Sequence, residues 1–288
     1  MRLGGRRVSS NVDDRRRLGG GKKAGIGIGG LVVAALITWL MGGNPLSVLN
    51  NADLGGIIAG QGTSGTYEPT AEEEALAQFS SQILAGTEDV WTKEFKKMGL
   101  TYEPPRLVLF TGSVQSGCGD ATASSGPFYC SADQSVYIDL SFFTQMKRQL
   151  GADGDFAYAY VIAHEVGHHV QYLLGILDKA HQQMSRVSEK ESNRISVRLE
   201  LQADFLAGIW AYHDNQMFNS LENGDIEEGL NVASKIGDDY LQKQAQGYTV
   251  PDAFNHGTSA QRVRWLKKGL ATGDLNKADT FSQDYDEL

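Results

Sequence analysis

Apolar positions recur every three to four residues over most of the chain beyond residue 70, and that periodicity predicts a mainly helical protein. The strongest run covers residues 156–177. A second, from about 188 to 213, carries Ile195, Leu199, Phe205, Leu206 and Ile209. Upstream, Thr70-Ala71-Glu72-Glu73 has the spacing of a capping box and opens a helix with Leu76, Phe79, Ile83 and Leu84 on one stripe. A further helix, with Val90, Trp91, Phe95 and Met98 apolar, ends at Gly99. Residues 227–243 predict an amphipathic helix, and Thr258 or Ser259 caps a last one built on Val263, Trp265, Leu266 and Leu270. Strands are expected at 106–110 and 135–140, where β-branched and aromatic residues are contiguous. The polar stretch 178–191 predicts a loop or a charged helix, and the acidic end 279–288 a solvated or disordered tail. The fold class expected is α+β, mainly helical.

The first 70 residues follow a different pattern. Residues 24–41 contain no charged side chain, and 18 residues of helix would span about 27 Å, enough for a hydrocarbon core. Before them stand eight basic residues (Arg2, Arg6, Arg7, Arg15, Arg16, Arg17, Lys22 and Lys23) against Asp13 and Asp14, in a chain of net charge −9. Retention of positive charge on the cytoplasmic side predicts a single-pass anchor in the cell (inner) membrane. The organisation expected is a basic cytoplasmic tail at 1–23, a transmembrane helix at 24–42, a flexible Gly/Asn/Ser linker at 43–70, and an extracytoplasmic, periplasmic domain at 71–288. A cleaved signal peptide fits less well, because the basic region is long and no A-x-A-like site follows. The tail's charge could attract anionic lipid or nucleic acid, but topology already accounts for it, so no nucleic-acid partner is expected.

The chemistry lies in Ala163-His164-Glu165-Val166-Gly167-His168-His169. On a helix, residues four apart share a face, so His164 and His168 can present two imidazoles to one Zn²⁺. Glu165 stands beside them as a candidate general base. The third ligand is expected from Glu200-Leu201-Gln202-Ala203-Asp204, where two carboxylates also lie four apart. Glu200 can reach the metal while Asp204 hydrogen-bonds a ligand imidazole from behind. The blander alternative is a solvated acidic face, and the surrounding Leu201, Ala203, Ala207 and Gly208 argue for a buried one.

Several segments together resemble one family, the neutral zinc metallopeptidases of bacteria. They are H-E-V-G-H-H-V-Q (164–171), E-L-Q-A-D (200–204) with A-G-I-W (207–210), and G-P-F-Y-C-S-A-D-Q-S-V-Y-I-D (126–139). To these are added H-G-T-S-A-Q-R-V-R-W (256–265) and G-R-R-V-S-S-N-V-D-D-R-R (5–16). The resemblance implies a zincin-like fold behind a membrane anchor, His164, His168 and Glu200 as zinc ligands, Glu165 as the catalytic base, and a peptide or protein substrate. Phe205 departs from the Cys that such proteins often carry there, without touching the metal set.

The only cysteines, Cys118 and Cys130, are read as a disulfide in an extracytoplasmic domain; their spacing is not the C-x-x-C of a dithiol oxidoreductase. The disulfide would clamp the approach to the 136–140 strand, whose open edge could pair with an extended peptide. His256, just before a glycine and a helix start, is a candidate donor to the oxyanion of a tetrahedral intermediate. Asp238 and Asp239 are expected to be solvated, and His169, His181 and His213 have no partner legible in the chain. A catalytic reading competes with a non-catalytic envelope scaffold that keeps the fold, and Glu165 favours chemistry, since a structural zinc site has no use for a base.

Overall fold

The computed structural model describes residues 1–18 and 68–288. Strand β1 (Val12–Asp14) precedes helix α1 (Ala71–Lys97). There follow β2 (Arg106–Phe110), β3 (Ser113–Ser116), β4 (Gly119–Thr122), β5 (Phe128–Cys130) and β6 (Ser135–Asp139). The rest is helical: a short α2 (Ser141–Gln145), α3 (Asp155–Leu173), α4 (Ile176–Met184), α5 (Glu189–Phe218), α6 (Asp225–Lys235), α7 (Asp238–Gln246) and α8 (Ser259–Thr272). The fold is α+β and mainly helical, as the periodicity requires.

Four strands form one sheet in the order β1-β2-β6-β5; β1, β2 and β6 run parallel and β5 antiparallel on one edge. Both faces of β2 and β6 are covered, which is why residues 107–110 and 136–138 are contiguous apolar runs rather than alternating ones. β3 and β4 make a separate hairpin. The expected open edge on 136–140 is not found: β6 is an interior strand, and β5 is the edge on that side.

The expected single-pass topology, with a cytoplasmic tail and a periplasmic domain, is overturned. Residues 12–14 pair with 107–109 as a strand of the same sheet. Arg6 makes a bidentate ion pair with the buried Asp214 on α5, at 2.8 and 2.6 Å. Arg16, 2 % exposed, pairs with Asp14 and Glu74. Arg7 pairs with Glu88 and Asp89, and Arg15 with Asp13. These arginines are therefore spent on the domain's own carboxylates, on the same side as the helices, where one crossing between the two segments would have separated them. No helix among the described residues is long and apolar enough to cross a membrane. Residues 24–42 lie outside the described residues, as does most of the expected linker.

Other boundaries moved for local reasons. Residues 71–97 form one helix instead of two, with the predicted capping box intact: Thr70 Oγ1 accepts from the Glu73 amide, and Glu73 returns the bond. Gly86 sits mid-helix because a Cβ there would come within 2.7 Å of Arg6 Nη2 and 2.8 Å of Asp214 Oδ1. The run 156–177 ends early at Gly175, in a left-handed conformation (φ +69°), and the polar stretch that follows becomes α4. Residues 227–243 break at Gly237, where a side chain would collide with Ser259. The acidic end is docked: Thr280 is fully buried, its hydroxyl donating to the Arg198 carbonyl.

Candidate metal centre

The two central helices meet where side chains are smallest. A Cβ on Gly167 of α3 would lie 3.1 Å from the Ala203 carbonyl oxygen of α5, so a side chain there would push the two helices apart by a few tenths of an ångström. Gly167 falls between His164 and His168, and Ala203 between Glu200 and Asp204. The close contact therefore places the two histidines against the two carboxylates. On the far side of α5, Gly208 and Gly269 allow α8 the same intimacy, and this carries Arg262 onto Asp204.

His164 Nε2 lies 3.2 Å from Glu200 Oε2, and His168 Nε2 lies 3.4 Å from Glu200 Oε1. A tetrahedral ion with metal–donor bonds of about 2.0 Å needs donors about 3.3 Å apart. The three donor atoms all fall within 4.8 Å of one another, and they are the one such group of His, Cys, Asp and Glu among the described residues. Two imidazole nitrogens and one carboxylate oxygen suit zinc. The cluster could hold a metal ion.

The hydrogen bonds behind each imidazole decide its tautomer. Asp204 Oδ1 lies 2.8 Å from His164 Nδ1, so the proton sits on Nδ1 and Nε2 is left as a donor to a metal. His168 is fixed through a glutamine. Gln171 Nε2 donates to the Leu199 carbonyl at 2.8 Å, which turns Gln171 Oε1 toward His168 Nδ1 at 2.9 Å; that nitrogen must carry the hydrogen. Both Nε2 atoms then face Glu200.

Asp204 is fully buried and heavily supported. Its Oδ1 also accepts from Tyr160 Oη at 2.5 Å and Arg262 Nη2 at 2.9 Å, while Oδ2 accepts from Arg262 Nε at 2.8 Å. Arg262, 3 % exposed, stands 3.7 Å from Glu200 Oε2 as well. Burial opposes ionisation of Asp204, but the Arg262 charge and the His164 hydrogen bond win and hold it below the usual carboxylate range. Glu200 is likewise held well below: burial opposes, and the charge of His168 with the hydrogen bonds from both histidines prevails. Against its own burial, His164 is raised to about 10 by Asp204 and Glu200 when no cation is bound. The site is built for positive charge.

Glu165 is 9 % exposed, on the turn of α3 next to His164, and has no hydrogen-bond or ion-pair partner among the described residues. His256 is half-exposed in the loop before α8, its Nδ1 3.2 Å from Asp238 Oδ1. Desolvation works against its charge, but the Asp238 hydrogen bond and the charge of Glu200 raise its pKa. Asp238, expected to be solvated, is instead buried: its Oδ2 accepts from the amides of Asn255, His256 and Gly257 at 2.8, 2.6 and 2.9 Å. Asp239 anchors Ser259 in the same way. His169 is structural. Its Nε2 donates to the Glu103 carbonyl, its Nδ1 accepts from Tyr129, and burial lowers it to about 4. His213 donates to the Gly273 carbonyl. Cys118 and Cys130 are joined as a disulfide, tying the β3–β4 turn to edge strand β5.

A family model of putative neutral zinc metallopeptidases matches residues 1–281. The chain belongs to that family. It is 50 % identical over 293 residues to uncharacterized protein YpfJ of Escherichia coli (strain K12), covering 98 % of this chain and 99 % of that protein. It is 42 % identical over 191 residues to uncharacterized protein Rv2575 of Mycobacterium tuberculosis, covering 63 % of this chain and 64 % of the other. No solved structure matches it.

Three site residues escaped the sequence reading: Tyr160, Gln171 and Arg262. Tyr160 lies four before His164 and Gln171 three after His168, so helical spacing alone could have placed both beside the histidines. Arg262 carried a subtler signal. It shares the apolar stripe of Trp265, Leu266 and Gly269, and an arginine on a core stripe requires a buried anion.

Proposed function

We propose that the chain is a zinc-dependent metallopeptidase that hydrolyses peptide bonds, with a zincin-like arrangement of its sheet and central helices. The observation that supports this most is the donor count: His164, His168 and Glu200 converge with no fourth protein ligand among the described residues, beside a carboxylate, Glu165, that nothing else uses. A structural zinc would take four protein donors and need no base; a catalytic one keeps a position open.

In this reading His164, His168 and Glu200 hold Zn²⁺, which supplies Lewis acidity, polarising a carbonyl and acidifying a water molecule. Glu165 takes a proton from the attacking water on its carboxylate and passes it to the departing amine. Asp204, fixed by Arg262 and Tyr160, keeps His164 in the tautomer that coordinates. His256, backed by Asp238, donates from the cleft margin to the oxyanion of the tetrahedral intermediate. Edge strand β5 offers main-chain groups to an extended peptide, in the place first expected of β6.

The test is cleavage of a mixed peptide library by the whole chain, which must retain residues 1–18 because they complete the sheet. Zinc-loaded wild type should yield products, and Glu165→Gln should bind zinc as well while losing about 10²- to 10⁴-fold in kcat. Equal cleavage by the two proteins, or none from wild type with one zinc bound, would sink the peptidase reading.

A further inference from the structure

A cavity of about 550 Å³ opens on the side of α5 away from Glu200, under the segment that follows α8. Leu174, Leu206 and Phe281 are among the apolar residues that line it. Its size is that of a small-molecule site. Two features set it apart from an incidental groove.

The first is a path to the metal group. Gln202, on the cavity wall, donates to the carbonyl of Ala278 in the covering segment at 2.9 Å. Gln202 Oε1 accepts from Gln171 Nε2 at 3.0 Å, and Gln171 Oε1 holds His168 Nδ1 at 2.9 Å. Three hydrogen bonds in series thus join the covering segment to a metal-site imidazole. All four partners are polar groups inside the fold with defined donors and acceptors, so displacing Ala278 forces the Gln202 amide to turn or to go unpaired.

The second is charge. Two ionised side chains line the cavity, Lys179 and Asp279. Asp279 is already engaged by the Ser282 hydroxyl and the amides of Phe281 and Ser282, which lower its pKa. Lys179 has no acidic partner among the described residues. An apolar cavity with one unanswered cation at its edge complements a molecule with an acyl chain and an anionic head.

We propose that this cavity binds a medium-chain monocarboxylate, its head on Lys179 and its chain against Leu174, Leu206 and Phe281. Occupancy moves the covering segment and, through Gln202 and Gln171, alters how His168 is held. The binding stands independently of the peptidase reading; the coupling rests on His168 being a zinc ligand.

Decanoate, decanol and decylamine are titrated against the full chain carrying an anilinonaphthalene sulfonate probe, with and without zinc. Zinc affinity is then read by chelator competition at saturating decanoate. Decanoate should displace the probe at least tenfold better than decanol, with decylamine weakest, and should shift the zinc Kd severalfold; zinc must shift the decanoate Kd by the same factor. Lys179→Glu, a surface change that leaves the core intact, should weaken decanoate about tenfold but not decanol. Leu206→Trp should fill the cavity and abolish binding. Gln202→Leu should keep decanoate binding and lose the effect on zinc. Failure of decanoate to bind, or binding indifferent to Lys179→Glu, overturns the site. Binding that leaves the zinc Kd unchanged overturns the coupling. A wild-type chain that binds decanoate but no zinc would instead refute the metallopeptidase reading alone.

Discussion

His164 and His168 leave one helix a turn apart, yet the groups behind them differ in kind. Behind His164 stands an ionised pair, Asp204 with Arg262, braced by the neutral Tyr160 hydroxyl, every member buried. Behind His168 stand two neutral amides, Gln171 and Gln202, ending on a main-chain carbonyl. Both arrangements fix the imidazole tautomer, so orientation alone does not require a charge. The carboxylate behind His164 does something further. With Glu200 and Arg262 it makes a set of two negative groups and one positive, whose net negative charge a bound cation would offset. From behind, one histidine is held by a charged group and the other by neutral hydrogen bonds.

The sharpest way to break this comparison is to delete the ionised side. Asp204→Ala leaves Arg262 buried without its carboxylate, and the fold should lose about 3–5 kcal/mol while zinc affinity falls about 100-fold. Denaturant melts and chelator competition would show it, and a loss no greater than that of Gln171→Ala would end the distinction.

A second measurement follows the proton on the charged side. In the metal-free protein His164 is raised to about 10, above an unfolded value of about 6.5. Its contribution to stability is therefore complete below about pH 6.5 and is lost as pH rises through about 10. Zinc must expel that proton, so calorimetry in buffers of different ionisation enthalpy should find about one proton released at pH 7. Zinc affinity should rise by roughly tenfold per pH unit up to about pH 9. A pH-independent affinity would show that Asp204 and Glu200 do not charge His164.

On the neutral side the effects are smaller. Gln171→Ala should weaken zinc by about tenfold. Gln171→Glu, which makes the two supports alike, should tighten zinc but slow peptide cleavage, because the added negative charge blunts the ion's Lewis acidity. Faster turnover in that variant would contradict the charge argument. The smallest effect on zinc is expected from the disulfide. Cys118→Ser should lower stability by about 3 kcal/mol and leave zinc affinity within about twofold, since the bridge touches neither histidine's support.

Much of the candidate site was legible because it is local. H-E-x-x-H and E-x-x-x-D become shared faces as soon as the chain is helical, and the helices were evident from apolar spacing, from the capping box at Thr70–Glu73 and from the cap at Thr258 or Ser259. The errors have a common origin in long-range pairing. An uncharged run beside basic residues reads as an anchor with its topogenic tail, and nothing nearby reveals that Arg6 belongs to Asp214, or that residues 12–14 close the sheet. Asp238 and Asp239 looked solvated for the same reason; their partners are amides 17 to 20 residues away.

The amino-acid sequence by itself determined which atoms can bind a metal, because a helix converts a spacing of four into a common face with no help from the rest of the fold. Only the tertiary structure decided which cation neutralises which carboxylate. Arg262 reaches Asp204 across 58 residues because Gly208 and Gly269 let two helices touch. Coulomb attraction carries no address along the chain: any basic residue could answer a buried carboxylate, and packing chooses the one that does.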